Sequence, residues 1–347
     1  MSSISVLSQP VSVGPSPHPR QLPPADGFLH IGSVPYLNVR PLLRALRQVF
    51  ERAGLWTAMF PAGLKVTEAV PRILAERARR GQFHAAIVPV FEVLSHSYGA
   101  FLPGSCIAAR GAVESVVLFA DDPLESLTRI ELDPASLTSV HLIQVLLSLR
   151  GQQVEYVEPT AAHGKDDKPA RTPPRFPKYR GRLLLPGATH GEPGPLQLPP
   201  RTGRLLIGDA ALARRGMHAT EWDLASAWLS ATGLPFVFAA WHAPDPTWAE
   251  PHHPLGSLFQ QVAMEVDHHR MIAAREDGPR FGFDAALAEA YLTRAIHYDF
   301  GSEEQAGLSR FGRECQRLGF LSRSIPGDVE WAGPLTVHQP GPAAQTP

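Results

Sequence analysis

Several polar residues break apolar or helical patterns in this chain and have side chains that could take part in chemistry. Asn38 stands in "VPYLNVRPL", where an apolar run stops and a helical pattern starts, and Ser115 stands in "AVESVV". An amide and a hydroxyl donate and accept hydrogen bonds; neither is a strong base near neutral pH. Asn38 also suits a plain turn, and Ser115 a small core position. Thr138 and Ser139, with Ser136, announce a helix in "PASLTSVHLIQVLL". A helix start of that kind serves equally as a cap and as a seat for an anion, since the N-terminal amides favour negative charge. Asp209 in "LLIGDAAL" reads as a helix N-cap or a chemical group, and Glu92 after the buried run "IVPVF" as structural. Arg40 and Arg44 lie one helical turn apart, spaced to fork onto a carboxylate or to sit on an exposed face. The 15 histidines include His252-His253 and His268-His269, but no HExxH or CxxC spacing accompanies them, so no metal is expected. Glycine fingerprints for nucleotide phosphates are missing as well.

The 347 residues are 44% hydrophobic and carry a formal net charge of -1, enough for two lobes and no reason to expect nucleic acid or a membrane surface as partner. Two cysteines, Cys106 and Cys315, make no disulfide framework, which suits a reducing cytoplasm. Residues 1–27 and 336–347 read as loose ends, and 160–201 as a Pro-rich insertion too long for an ordinary connection. Between them, strand-like and helical segments alternate. The patterns place a strand at "FLHIGSV", a helix at "RPLLRALRQVFERAG", a second strand at "WTAMFPA" and a helix over "KVTEAVPRILAERARRG". Further strands are expected in "FHAAIVP", "VESVVLFAD", "TRIEL", "VEYV", "GRLLIG" and "LPFVFAAWHA". This alternation predicts an α/β protein with parallel sheets covered on both faces. The late buried strand "LPFVFAAW" predicts two lobes crossed twice by the chain: 28–120 with 236–335, and 121–235 between them.

In sequence order, "VPYLNVRPL", "AAIVPVFEVL", "VESVVLFADDPL", "LTSVHLIQVLL", "LLIGDAAL" and "DLASAWLSATGLPFVFAAW" resemble the MqnA branch of the MqnA/MqnD menaquinone-biosynthesis proteins, over roughly residues 28 to 330. The chain departs from that pattern at Pro35 and Pro89-Val90, where the family often carries hydroxyl residues. The resemblance implies a two-lobe fold like type II periplasmic binding proteins. It also implies dehydration of chorismate to 3-[(1-carboxyvinyl)oxy]benzoate, the entry to the futalosine route, with no cofactor. Asn38 and Ser115 are then the expected catalytic pair, and Ser33, Tyr36, Arg40, Thr138, Ser139 and Asp209 the expected substrate-binding set. A non-catalytic solute binder and the sister MqnD activity are the competing readings, and the oligomeric state stays open, a homodimer among the options.

Overall fold

The computed structural model describes residues 25–158 and 194–321, with position 23 added and positions 53, 97 and 251 excepted. The expected loose ends lie almost wholly outside the described residues, as does most of the expected insertion. Eleven strands follow in order: β1 Phe28–Ser33, β2 Gly63–Glu68, β3 Ala85–Pro89, β4 Ala100–Ala109, β5 Val116–Ala120, β6 Arg129–Glu131, β7 Glu155–Val157, β8 Thr202–Ile207, β9 Thr220–Asp223, β10 Phe236–Ala243 and β11 His297–Asp299. They form two sheets, of order β11-β4-β10-β3-β1-β2 and β7-β6-β8-β5-β9. The chain enters the second sheet between β4 and β5 and leaves it between helix Leu224–Thr232 and β10. Two lobes crossed twice are therefore present.

Three expectations are corrected. The sheets are mixed: β1 is parallel to β2 and β3, but β10 runs antiparallel to both β3 and β4. A strand returning from the other lobe has no crossover helix to reverse it, so it enters against its neighbours. The first crossing falls at residues 110–115, earlier than the expected boundary at 120, because β5 pairs with β8 and β9. The second strand is "GLKVTE", while residues 54–59 are helical. Pro71 explains the shift: it holds the first helical position of Pro71–Arg79, so the β-branched "KVTE" before it is left extended. Strands β4, β9 and β11 have no counterpart among the expected elements.

The second crossing is a packed joint. Trp228, at the end of the second lobe, meets Phe236 edge-on at 5.4 Å, and Phe311 of helix Ser302–Arg317 meets Phe236 at 5.1 Å. Trp228 Nε1 donates to the carbonyl of Pro235 at 3.2 Å, so its one polar atom is satisfied inside the cluster. Gly307 lets the C-terminal helix close over this turn: a Cβ there would stand 2.1 Å from the Pro235 carbonyl oxygen. Gly307→Ala must push the helix off the joint. It is expected to cost about 1–3 kcal/mol, read as a lower midpoint in urea unfolding; an unchanged midpoint would show that the joint yields freely.

Candidate active site

A cavity lies where the lobes meet, the kind of cleft between structural units in which small-molecule sites are commonly found. Tyr36, Asn38, Pro89 and Phe238 face it from the first lobe, Ser136, Thr138, Ser139 and Gly208 from the second, and Ser115 from the first crossing. Among the described residues, none of the side chains lining it is ionised at neutral pH.

Ser115 precedes β5 in a bend, rather than lying inside a strand as its apolar surroundings suggest. The residue before it, Glu114, has φ of +63°, a left-handed backbone unusual for a residue with a side chain. Asp223 holds that turn. Its carboxylate accepts from the backbone N–H groups of Val113 and Glu114, at 3.2 and 2.7 Å, while capping the next helix at Ala225 and Ser226. The Ser115 carbonyl accepts from Gly208 N at 2.7 Å, which fixes its other side. Asn38 stands in a short 3-10 turn, Leu37–Val39, at the head of helix Arg40–Arg52, and Tyr298 Oη donates to its carbonyl at 2.7 Å.

Tyr291 joins the two. Its hydroxyl donates to Ser115 Oγ at 2.8 Å and accepts from Asn38 Nδ2 at 3.2 Å, with the ring fully buried. Burial pushes the phenol pKa up, so the group keeps its proton. Neither Tyr291 nor Tyr298 is among the residues that the sequence motifs single out. They fall in and after an alanine-rich helical pattern, and no local motif marks them; the only signal was a large aromatic breaking the run "DAALAEAYLTRA".

The expected substrate-binding set divides. Tyr36, Thr138 and Ser139 line the cavity. Thr138 Oγ1 donates to the Phe238 carbonyl at 3.1 Å and accepts from Phe91 N at 3.4 Å, so it ties the lobes together. The capping role falls to Ser136, whose Oγ accepts from Ser139 N at 3.2 Å. Ser33, Arg40 and Asp209 are outside the lining. Ser33 is fully buried and donates to the Val34 carbonyl. Arg40 pairs with Glu68 at 2.7 Å and lies over the Phe281 ring; Arg44 pairs with Glu276 and Asp277. Each arginine thus has its own carboxylate, and no fork forms.

Asp209 does not cap its own helix; Gly208 precedes that helix, with φ of +63°. The Asp209 carboxylate instead accepts from Leu37 N at 3.2 Å, capping the first turn of the other lobe. A Cβ on Gly208 would come 2.9 Å from the Tyr36 ring. The "YLN" and "IGDAAL" segments therefore meet face to face across the cleft.

What the lining lacks in charge is met by backbone. Helices Arg40–Arg52, Pro71–Arg79, Val90–His96 and Thr138–Leu149 all begin at or beside lining residues. Their N-terminal ends carry partial positive charge toward the cavity. Such a pocket can hold an anion and orient it, but the lining supplies no strong base. Among the described residues, no three His, Cys, Asp or Glu side chains cluster to hold a metal ion. Nor is any described helix long and apolar enough to cross a membrane.

Residues 29–169 and 188–317 match the family model described as menaquinone biosynthesis. The chorismate dehydratase of Thermus thermophilus is 27% identical over 319 residues, covering 85% of this chain and 98% of that protein. Among solved structures, a protein from Archaeoglobus fulgidus superposes with a TM-score of 0.54 at 11% identity, over 86% of this chain and all of that one. The periplasmic aliphatic sulphonate binding protein SsuA of Escherichia coli gives 0.48 at 14% identity, over 93% and 97%.

Burial raises the Asp209 pKa to about 7, against the opposing pull of the Leu37 N–H and Arg40. Between about pH 4 and 7 the native chain therefore keeps a proton that the unfolded chain has lost. Stability contributed by this group is full below pH 4 and is lost as pH rises through 7, by at most about 1.4 kcal/mol per pH unit. Asp209→Asn removes that loss. Its stability relative to the parent is expected to rise between about pH 4 and 7 and to level off above that in denaturant titrations; a pH-independent difference would contradict the assignment.

Proposed function

The chain belongs to the menaquinone-biosynthesis family, and from that premise we propose that it is a chorismate dehydratase acting at the entry of the futalosine route. The observation that carries this reading is the neutral pair Asn38 and Ser115, joined through Tyr291 in a cavity whose lining holds no general base. Chorismate is a compact dianion whose ring becomes aromatic when water is lost, so the overall step runs downhill. The barrier lies in lifting the ring proton from the carbon that bears the enolpyruvyl ether. With no basic side chain lining the cavity, the substrate's own enolpyruvyl carboxylate takes it. That C–H bond breaks as the carboxyl O–H forms. The electron pair enters the ring, the neighbouring C–O bond breaks, and the departing hydroxyl takes the proton back from the carboxyl group and leaves as water, which restores the carboxylate.

The protein's contribution on this reading is placement. Holding the carboxylate against the carbon replaces a bimolecular encounter with an oriented one, a large effect where geometry is good. Ser115 and Asn38 grip the reacting end, and Tyr36 closes over it. The start of Thr138–Leu149, with Ser136 and Ser139, receives the ring carboxylate, into which charge spreads as the proton leaves.

Purified protein given chorismate, without added nucleotide or metal, is expected to consume it and release the aromatic ether, followed by chromatography with ultraviolet detection. Tight binding without turnover would make the chain a binding protein instead. Asn38→Ala and Ser115→Ala are each expected to lower kcat/KM by about 10²–10³, with circular dichroism unchanged. Near-parental rates in both would remove the pair from the chemistry.

A further inference from the structure

Tyr291 does more than fill space between Asn38 and Ser115. Its phenol has one hydrogen, and that hydrogen goes to Ser115 Oγ. Its oxygen can then only accept, and it accepts from Asn38 Nδ2. Two consequences follow by counting donors and acceptors. The Ser115 hydroxyl has one of its two lone pairs engaged and its own hydrogen left to give. The Asn38 amide is held nitrogen-first toward the tyrosine, so its Oδ1 is left without a hydrogen-bond partner, although the residue is more than nine-tenths buried. Both residues line the cavity. A buried acceptor left unpaired is costly unless a ligand satisfies it.

We propose that Tyr291 is a positioning residue that sets the polarity of this pair, so that Ser115 donates to an oxyanion of the substrate and Asn38 Oδ1 accepts from a hydroxyl beside it. The proposal rests on the preceding reading for the identity of the substrate, in which an enolpyruvyl carboxylate and a ring hydroxyl sit on adjacent carbons. It assigns the two groups to different residues: carboxylate to Ser115, hydroxyl to Asn38. The hydroxyl held by Asn38 is the one that departs, and accepting its hydrogen turns an oxygen lone pair toward the proton that must reach it. Reversing the tyrosine's hydrogen bond would offer an acceptor from Ser115 and only donors from Asn38, the wrong arrangement for that neighbouring pair.

The test uses stable ring acids rather than turnover: 3-(carboxymethoxy)benzoate with and without a 4-hydroxyl, titrated by calorimetry into the full chain. The parent is expected to favour the 4-hydroxy compound about tenfold, because a site built to pair with a hydroxyl disfavours the analogue that lacks it. In Tyr291→Phe the preference should shrink to less than threefold, and kcat for chorismate should fall at least tenfold with KM changed less. Ser115→Ala is the companion variant should Tyr291→Phe fold poorly. It removes the acceptor of the phenolic hydrogen, frees Tyr291 to donate to Asn38, and should also erase the preference. A tenfold preference that survives in either folded variant, or none in the parent, overturns the proposal. Parental preference with no chorismate turnover would overturn the chorismate reading and leave the polarity assignment standing.

Discussion

One phenolic oxygen holds the site together. Tyr291 Oη joins a residue 253 positions before it to another 176 positions before it. All three side chains are buried, so water cannot replace the bonds they make to one another. In that setting a hydrogen bond fixes direction as well as distance, since each partner left over has few other choices. The surrounding architecture supports this arrangement. Tyr298 steadies the Asn38 backbone, Asp223 steadies the turn before Ser115, and the packed joint at Pro235 seats the C-terminal helix.

Charge is handled in the same indirect way. The arginines of the first long helix are committed elsewhere, Arg40 to Glu68 and Arg44 to Asp277, while Arg72, beside the lining residue Pro71, donates to the Ser136 carbonyl. Four helices begin at the cavity instead. Peptide dipoles are fixed by the fold and need no reorganisation when a ligand arrives, whereas a lysine would have to be desolvated and ordered. A lining free of ionised side chains also spares the closed cavity the cost of burying an unmatched charge.

The local patterns in the sequence carried most elements and the two-lobe plan, because a buried strand and an amphipathic helix differ in period over a few residues. They failed where the deciding interaction was distant or a single residue outweighed a run. The direction of β10 depends on where the chain returns from, which no window of residues records. The apolar "WTAMFPA" suits a strand by composition, yet its residues through Met59 are helical and the strand begins only at Gly63. That Asn38 and Ser115 come to the cavity was legible through resemblance, because each lies in a short recognisable motif. Tyr291 was not, because its importance comes from the two residues it touches and from nothing adjacent to it. Asp209 shows the middle case: its place at the start of a helix pointed to capping, and it does cap, but on the opposite lobe.

The placement of Ser115 inside the first crossing ties the site to the relation between lobes. Asn38 and Tyr291 belong to the first lobe, whereas Ser115 lies on the segment about which the second would turn. Any rotation about residues 110–115 must therefore act on the 2.8 Å contact between Tyr291 and Ser115. The contacts spanning the cleft, Asp209 to Leu37 and Gly208 against Tyr36, lie on the segment that also bonds the Ser115 carbonyl. Ser115 is thus held on one side by the first lobe, through Tyr291, and on the other by the second, through Gly208. The left-handed backbone of Glu114 makes this joint specific, because two N–H groups of the turn bond one aspartate that is itself anchored by capping the next helix, and they hold a conformation that the chain would otherwise leave. The Tyr291–Ser115 contact and the contacts across the cleft are in this way held by the same few residues.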